Sequence, residues 1–339
     1  MIKMLTASRQ ILENLQTRSG LFTASAGNVS TGYNKAWIRD NIYEAIGFET
    51  FNIGKALQAY HALFDIFLKH EYKIDWAIRE KPKHAYQYIH ARYNPETFEE
   101  FWEEWGNKQN DAIGLFLFKV GELAGKRYPV IRNEDDLRIL QKLVDYLASV
   151  EYWHDRDNGI WEENEEVHAS SVGACAAGLK MVSASVKSVN VDKKAIESGE
   201  KALACLLPNE SETKDADLAL LSLIYPFNIA TEEQRDAILA DVEEKLLRNR
   251  GVIRYIGDKY YNAPEKIGSE AEWCFGLPWL AIIYKQLGNF AKYRHYLQKT
   301  ASAINEKGEL PELYYANTDK HNENSPLGWG QALLLKAMD

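Results

Sequence analysis

The chain has 339 residues, which is enough for one large domain or two ordinary ones, and its 49 acidic residues outnumber 40 basic ones to give a formal net charge of −9. This charge argues against nucleic acid or an anionic membrane as the main partner, because phosphate groups are bound by basic surfaces. No apolar run is long enough to be a transmembrane helix, and the first ten residues lack the apolar core of a signal peptide. We therefore expect a cytoplasmic protein.

The cysteines and histidines do not indicate a metal site or a disulfide framework. Cys175, Cys205 and Cys274 are odd in number and widely spaced, and each lies in an apolar segment that we predict to be helical. We expect three buried free thiols in a reducing compartment. The eight histidines are scattered singly. We expect no metal and no cofactor.

A repeated unit runs through the chain in the order of a polar tip, an apolar helix and an amphipathic helix. The markers of the six tips are Asp40, Asp111, His168, Asp217, Glu272 and Pro326. Their successive spacings are 71, 57, 49, 55 and 54 residues. A near-constant spacing of this size is typical of a repeated supersecondary unit.

The two kinds of helix differ in their hydrophobic pattern. The predicted helices after the tips, including 112–118, 218–225, 279–284 and 329–335, are apolar on most sides and are therefore expected to be buried. Amphipathic helices are predicted near 3–17, 53–69, 133–147, 192–206, 231–246 and 288–304. Asn133 and Thr231 precede two of them as capping residues. Only 251–256 has a strand-like pattern.

Six helical hairpins of this kind predict an all-α fold, an (α/α)6 barrel with an inner ring of parallel helices inside an outer ring. No linker rich in Pro, Gly or Ser divides the chain, so we predict a single domain over residues 1–339. The polar tips at the starts of the inner helices would then converge on a funnel at one end. The alternative is an open superhelical repeat, whose helix-pair periodicity is similar.

The stretch 157–163 has the strongest chemical character in the sequence. Asn158 and Gly159 supply the residues of a tight turn, and Trp161 is followed by the adjacent carboxylates Glu162 and Glu163. A carboxylic acid held beside an indole ring loses part of its hydration and becomes suited to donate a proton near neutral pH. The alternative is that the glutamates at 162, 163, 165 and 166 form a solvated acidic run.

Seven short segments carry a family resemblance: 20–25, 36–41, 89–94, 105–111, 159–163, 168–173 and 308–312. In this order they resemble the glucoamylase-type family of inverting glycoside hydrolases, which fold as (α/α)6 barrels. They are most similar to the hydrolase-like N-terminal region of the phosphorylase kinase α and β regulatory subunits. Each motif is weak alone, but seven in the correct order form a specific signal.

The resemblance implies roles for individual residues. Glu162 matches the general acid and Glu312 the general base, although Leu313 stands where a Gln often follows that base. Arg39 and Asp40 match the pair that holds the hydroxyls of the terminal glucose. The remaining residues of the predicted substrate site are Trp105, Trp161, Glu163 and Arg254.

The two carboxylates are 150 positions apart in sequence (312 − 162), as an inverting mechanism allows. Inversion needs an acid and a base about 6.5–9.5 Å apart on opposite faces of the sugar, and distant repeats can supply opposite sides of a funnel. Two structural alternatives stay open. Arg39 and Asp40 could form a helix-capping ion pair, and Glu312 could be a solvated loop acid.

Two functions of different classes follow from these motifs. The first is a hydrolase that releases glucose from an α-glucoside oligosaccharide or polysaccharide, with water as the only co-substrate. The second is a glucan- or oligosaccharide-sensing module without hydrolytic activity. Retention of Glu162 and Glu312 together with Arg39 and Asp40 favours the enzyme. Hydrolysis of trehalose with the same carboxylates is a third possibility.

Overall fold

The computed structural model describes residues 2–26, 31–103, 105–261 and 270–339. Twelve α-helices lie within these residues. In chain order, α1 to α12 are Ile2–Leu15, Ile38–Glu49, Ile53–Lys69, Glu71–Arg79, Asn110–Gly125, Glu134–Val150, Ala169–Ser185, Lys193–Leu206, Glu232–Asp241, Gly276–Gln286, Phe290–Ala303 and Gly328–Met338. Two short antiparallel pairs join β1 (Ala36–Trp37) to β2 (Arg92–Tyr93) and β3 (Glu272–Trp273) to β4 (Leu313–Tyr314).

Six largely buried elements form the inner ring. They are α2, α5, α7, the 3-10 helix Leu218–Leu223, α10 and α12. Each packs against the next, and α12 packs against both α10 and α2, so the ring closes. An open superhelix would leave its first and last repeats apart. The predicted (α/α)6 barrel is therefore confirmed, whereas the prediction that the whole chain is one domain stays a prediction.

The small residues of α7 let two inner helices pack with their backbones in contact. A Cβ atom on Gly114 of α5 would lie 2.5 Å from the carbonyl carbon of Ala174, and one on Gly178 of α7 would lie 2.4 Å from the Gly114 oxygen. No side chain fits at either position. The run of small residues after His168 is thus explained by helix packing rather than by chemistry.

The outer ring comprises α1, α3, α6, α8, α9 and α11, which correspond to the six predicted amphipathic helices. Leu140, Leu143 and Leu147 of α6 are buried on its inward face, as an amphipathic stripe requires. The Asn133 side chain accepts hydrogen bonds from the first turn of α6. Thr231 and Gln234 form the predicted capping box of α9.

Three details of the predicted elements are wrong. The fourth inner element is a 3-10 helix rather than a helix over 218–225, because the Asp217 cap and Pro226, which lacks an N–H, leave room for only about two turns. The α-helical part of the predicted helix over 231–246 ends at Asp241, and a π-helical turn, Val242–Leu246, follows it directly. An additional outer helix, α4, follows α3, so the outer layer exceeds one helix per repeat.

The strand-like segment 251–256 forms no strand. Val252 makes isolated bridges with Leu247 and with Trp273, and Tyr255 makes one with Asp217. The alternating pattern reflects a buried connection that crosses between inner elements. Its hydrogen bonds go to several different neighbours rather than to one strand.

The cysteine prediction needs correction at two positions. Cys175 is buried in α7 as expected, but Cys205 is exposed, because it lies on the outward side of the outer helix α8. Cys274 is buried but lies between β3 and α10 rather than in a helix. All three are free thiols. None of the helices in the described ranges combines the length and the hydrophobicity of a membrane span.

Candidate active site

A pocket of about 810 Å³, including its open mouth, lies where the inner elements begin. It brings together side chains that are far apart in sequence. All eight residues of the predicted catalytic and substrate site line it: Arg39, Asp40, Trp105, Trp161, Glu162, Glu163, Arg254 and Glu312. The predicted funnel therefore exists. The roles of these residues are a separate question, which depends on what each side chain contacts.

Four donors surround the carboxylate of Glu162. Its Oε2 accepts hydrogen bonds from the indole N–H groups of Trp105 (2.6 Å) and Trp37 (3.2 Å). Its Oε1 accepts from the Gln109 amide at 3.0 Å and lies 3.5 Å from Nη1 of Arg39. These donors stabilise the anion that remains once a carboxylic acid has given up its proton.

The backbone around Glu162 is held in an uncommon conformation. Glu162 has φ 62°, in the left-handed region, which costs about 1–3 kcal/mol for a residue with a side chain. Gly159 also has a positive φ, whereas Asn158 does not, so only one residue of the predicted Asn-Gly turn adopts that conformation. The Asn158 side chain instead donates to the Glu163 carbonyl at 2.6 Å and closes the loop.

Arg39 forms an ion pair with Asp111, not with Asp40. Its Nε donates to Asp111 Oδ2 at 2.6 Å, and its Nη2 donates to Asp111 Oδ1 at 3.1 Å and to the Gln109 amide oxygen at 2.8 Å. Both members of the pair are buried. The capping-pair alternative for Arg39 and Asp40 therefore does not hold.

Asp40 faces the pocket without a partner among the side chains of the other described residues. Burial raises its pKa, Arg39 opposes this, and Glu162 and Glu312 raise it further, to about 7. A carboxylate with open acceptor positions beside a pocket is suited to bind the hydroxyl groups of a ligand. The Arg39 guanidinium, in contrast, is committed mainly to the protein.

Glu163 and Arg254 form an ion pair that lines the pocket. The Glu163 carboxylate accepts from Arg254 Nη2 at 2.6 Å and from the Tyr255 hydroxyl at 2.6 Å. Burial acts to raise the pKa of Glu163, but Arg254, Tyr255 and Lys214 outweigh it, so that pKa lies below its ordinary value. Glu163 is therefore an anion at neutral pH. Arg254 is fixed on its other side by Asp258, at 2.7 Å.

Glu312 is held by a separate set of donors. Its Oε1 accepts from the Tyr33 hydroxyl at 2.6 Å, and its Oε2 accepts from the side-chain amides of Asn322 at 2.5 Å and Asn324 at 2.7 Å. Burial raises the pKa of Glu312 although these donors and Arg254 lower it. Glu312 is 1% exposed, so the alternative of a solvated loop acid is wrong. Leu313, beside it, is a buried strand residue paired with Trp273.

The polar tips divide into residues that line the pocket and residues that support it. Trp161 lines the pocket, while its indole N–H donates to Asp217 at 2.8 Å, and Asp217 caps the following 3-10 helix. Burial raises the pKa of Asp217 to about 7. In the predicted acidic run, Glu165 pairs with Lys108 on the surface, whereas Glu166 is buried against Ser211 and Thr213. The run is thus not uniformly solvated.

Sequence reasoning missed most of the aromatic floor. The unassigned residues that line the pocket include Tyr33, Trp37, Tyr260, Trp273, Phe275 and Trp329. Trp329 also stacks on Phe275 at 4.7 Å and on the buried Tyr43 at 4.4 Å, which joins the pocket to the aromatic core of the barrel. Trp37 lies two residues before Arg39, within the 36–41 motif, and could have been found from that motif. Tyr33 lies in a loop without a local signal.

A family model described as glycosyl hydrolases family 15 matches residues 4–336, nearly the whole chain. The chain belongs to this family. Its membership agrees with the seven motifs and with the barrel, and the glucoamylase-type resemblance predicted from the sequence is confirmed.

Curated relatives of this family member include regulatory proteins. The α regulatory subunit of phosphorylase b kinase from skeletal muscle of Oryctolagus cuniculus is 25% identical over 376 residues, which cover 88% of this chain and 30% of that protein. A probable α regulatory subunit of Caenorhabditis elegans is 30% identical over 177 residues, 46% of this chain and 14% of that protein. The chain thus spans less than a third of the length of these relatives.

Solved structures show the same fold. A glycosidase variant in complex with glucose superposes with a TM-score of 0.85 and 19% identity, covering 99% of this chain and 95% of that chain. A glucoamylase from Saccharomycopsis fibuligera superposes with a TM-score of 0.71 and 14% identity, covering 99% of this chain and 94% of that chain. A bacterial glucoamylase complexed with acarbose superposes with a TM-score of 0.71 and 17% identity, covering 98% of this chain and 54% of that chain.

Proposed function

We propose that this family 15 protein is an inverting glycoside hydrolase that releases glucose from the ends of α-glucosides. The observation that carries the proposal is that Glu162 and Glu312 line one pocket while each is held by its own set of donors. A binding module has no need for two separately held carboxylates in one pocket, whereas an inverting mechanism needs both an acid and a base.

In the proposed reaction, Glu162 donates its proton to the glycosidic oxygen as the bond from that oxygen to the anomeric carbon breaks. A water molecule attacks the opposite face of that carbon, and Glu312 accepts a proton from the water. The products are β-glucose and a glucoside shorter by one unit. Trp37, Trp105 and Gln109 then hold the Glu162 carboxylate, while Tyr33 and the two asparagines keep Glu312 in one orientation.

The shape of the pocket supports release from a chain end. Phe275 and Trp329 line the pocket and pack against Tyr43 and Trp279 of the barrel core, so aromatic rings close the inner end of the pocket among the described residues. Asp40, which lines the pocket, offers open acceptor positions to hydroxyl groups of the terminal sugar. Flat aromatic faces around it suit the apolar faces of sugar rings.

The test is incubation of the purified protein with maltose, isomaltose, dextrin, starch and trehalose, with released glucose as the readout. Proton NMR in the first minutes, before the anomers interconvert, identifies the configuration. We expect β-glucose. An initial α-anomer would overturn both inversion and the assignment of Glu312 as the base, because a nucleophilic carboxylate would then be required at about 5–5.5 Å from the acid.

A second candidate function is a regulatory module that binds α-glucans without hydrolysing them. The observation that favours it is the similarity to phosphorylase b kinase regulatory subunits along 88% of this chain. It predicts no glucose from any of these sugars but measurable binding of maltose or dextrin by calorimetry. Glucose release that disappears in a Glu162→Gln preparation purified in the same way would exclude it.

A further inference from the structure

A buried arginine lies behind the two indoles that contact Glu162. The guanidinium carbon of Arg92 is 3.8 Å from the ring centroid of Trp105 and 5.7 Å from that of Trp37. The β1–β2 pair sets this position, since Arg92 is the strand partner of Trp37. Arg92 is 3% exposed, while Trp105 is 37% exposed. The cation therefore lies on the protein side of an indole that forms the mouth of the pocket.

The same two indoles donate their N–H groups to a single oxygen, Oε2 of Glu162. A cation on the face of an indole attracts the π electrons and makes the N–H group a stronger donor. It also holds an exposed ring in one orientation. Trp105 has an edge-to-face contact with Trp37 at 6.3 Å, but the shortest of these ring contacts is the one with Arg92.

The other bonds of Arg92 do not explain its position. Nη2 donates to Glu103 at 2.8 Å, and Nε has no hydrogen-bond partner among the described residues. Glu103 also binds Lys35, which lies over the ring of Phe101 rather than over an indole. A buried guanidinium with an unpartnered N–H group is costly unless another interaction offsets it. The ring of Trp105 at 3.8 Å is the nearest aromatic face that supplies that interaction, and Trp37 at 5.7 Å and Phe101 at 5.9 Å add to it.

We propose that Arg92 is a positioning residue for the proposed general acid, acting through Trp37 and Trp105 to orient Glu162 and to stabilise its carboxylate after proton transfer. The inference rests on the proposed function. Arg92 belongs to the 89–94 motif, and this role explains its presence there without requiring that it stabilise the barrel or contact the sugar. Arg92 itself does not line the pocket.

The test compares Arg92→Met with Arg92→Lys, Lys35→Met and Glu103→Gln. Lys35→Met removes a cation from the same Glu103 without touching the indoles, and Glu103→Gln removes the partner while leaving the Arg92 cation in place. For Arg92→Met we expect kcat on maltose to fall by about tenfold or more with little change in KM. The alkaline limb of its pH–rate profile should move to higher pH, because loss of a nearby cation disfavours ionisation of the acid. Arg92→Lys should recover part of both effects.

Lys35→Met and Glu103→Gln should stay within about twofold of the wild type and keep its pH profile. Thermal melting followed by circular dichroism identifies variants that fail to fold. Equal kcat and an unmoved profile in Arg92→Met would overturn the inference alone. A fall in kcat of Glu103→Gln as large as that expected for Arg92→Met would also overturn it, because anchoring of the loop by Glu103 would then explain the effect. This second outcome can be tested even if Arg92→Met does not fold. A wild-type protein without turnover would instead overturn the proposed function, and this inference with it.

Discussion

Arg39 at the start of α2 binds Asp111 at the start of α5, on a neighbouring inner helix, while its sequence neighbour Asp40 lines the pocket without a side-chain partner in the described part of the chain. This arrangement separates two tasks that the sequence places side by side. The ion pair joins two repeats of the barrel and fixes the guanidinium with its Nη1 3.5 Å from Glu162 Oε1. The free carboxylate is left to meet a ligand.

The first prediction follows from this division. Asp111→Ala should lower the free energy of unfolding by about 3–5 kcal/mol, because it leaves the Arg39 charge buried without its partner. Asp40→Asn should instead raise the free energy of unfolding at pH 7, because burial raises the pKa of Asp40 to about 7 in the folded chain and the amide removes the cost of ionising it, but it should lower kcat/KM strongly. Urea unfolding and kinetics on the same preparations check both. Equal stability losses in the two variants would show that Asp40 is also structural.

The second prediction uses two glutamates of one loop. Glu162→Gln should lower kcat by at least about 10²-fold, because the amide keeps the shape and hydrogen-bonding capacity of the side chain but cannot donate the proton. Glu165→Gln is the matched control, since Glu165 lies on the surface paired with Lys108. It should retain turnover within about twofold. Glu162→Gln should still bind maltose in calorimetry, and glucose release from it comparable to that from Glu165→Gln would place the acid elsewhere.

Hydrophobic pattern was sufficient to predict most of the barrel. Helices hydrophobic all round became the inner ring, and amphipathic helices became the outer ring, because both patterns state directly which faces are buried. The 3-10 helix Leu218–Leu223 has the same apolar composition as an inner α-helix. Its conformation depends on the short distance along the chain between the Asp217 cap and Pro226. The hydrophobic periodicity of the segment carries no information about this length.

Residues on recognisable motifs were also placed correctly in the pocket, but their partners were not. The ion pair of Arg39 spans 72 positions, and the hydrogen bond between Tyr33 and Glu312 spans 279. Contacts over such separations depend on how the ring closes, and no local pattern encodes them. The adjacency of Arg39 and Asp40 in sequence suggested an ion pair that the helix geometry does not form.

The third prediction concerns the acid limb of the pH–rate profile. Burial raises the pKa of Glu312, and the Tyr33 hydroxyl is one of the donors that oppose this. Tyr33→Phe removes that donor, so the pKa of Glu312 should rise further. A general base must be ionised, so activity is lost as pH falls through this pKa. The acid limb should therefore move to higher pH, by about one pH unit.

The control for this shift is Tyr314→Phe. Tyr314 follows Leu313 in β4, but its hydroxyl donates to the Ala303 carbonyl rather than to Glu312. The acid limb of the Tyr314→Phe pH–rate profile should coincide with that of the wild type. A limb that stays in place in Tyr33→Phe, or moves equally in both variants, would show that Glu312 does not set it.

The last prediction concerns Glu44, a carboxylic acid in the middle of α2. The side chain is fully buried, and neither oxygen has a hydrogen-bond partner among the described residues. It lies against the backbone of Gly328, where a Cβ atom could not fit. Burial raises the pKa of Glu44 well above its ordinary value, and the charge of Asp40 adds to this.

The sign of the stability effect follows from proton binding. The unfolded chain releases the Glu44 proton near pH ~4.3, whereas the folded chain keeps it to higher pH. Between these values the unfolded state binds fewer protons, so this group lowers the free energy of unfolding as pH rises, by up to about 1.4 kcal/mol per pH unit. Glu44→Gln removes this dependence. Its stability relative to wild type should therefore increase from pH 4.5 to pH 8 in urea unfolding. Glu197→Gln, at an exposed position of α8, should show no such trend. If the difference between Glu44→Gln and wild type is the same at every pH, Glu44 is ionised in the folded barrel and must have found a partner there.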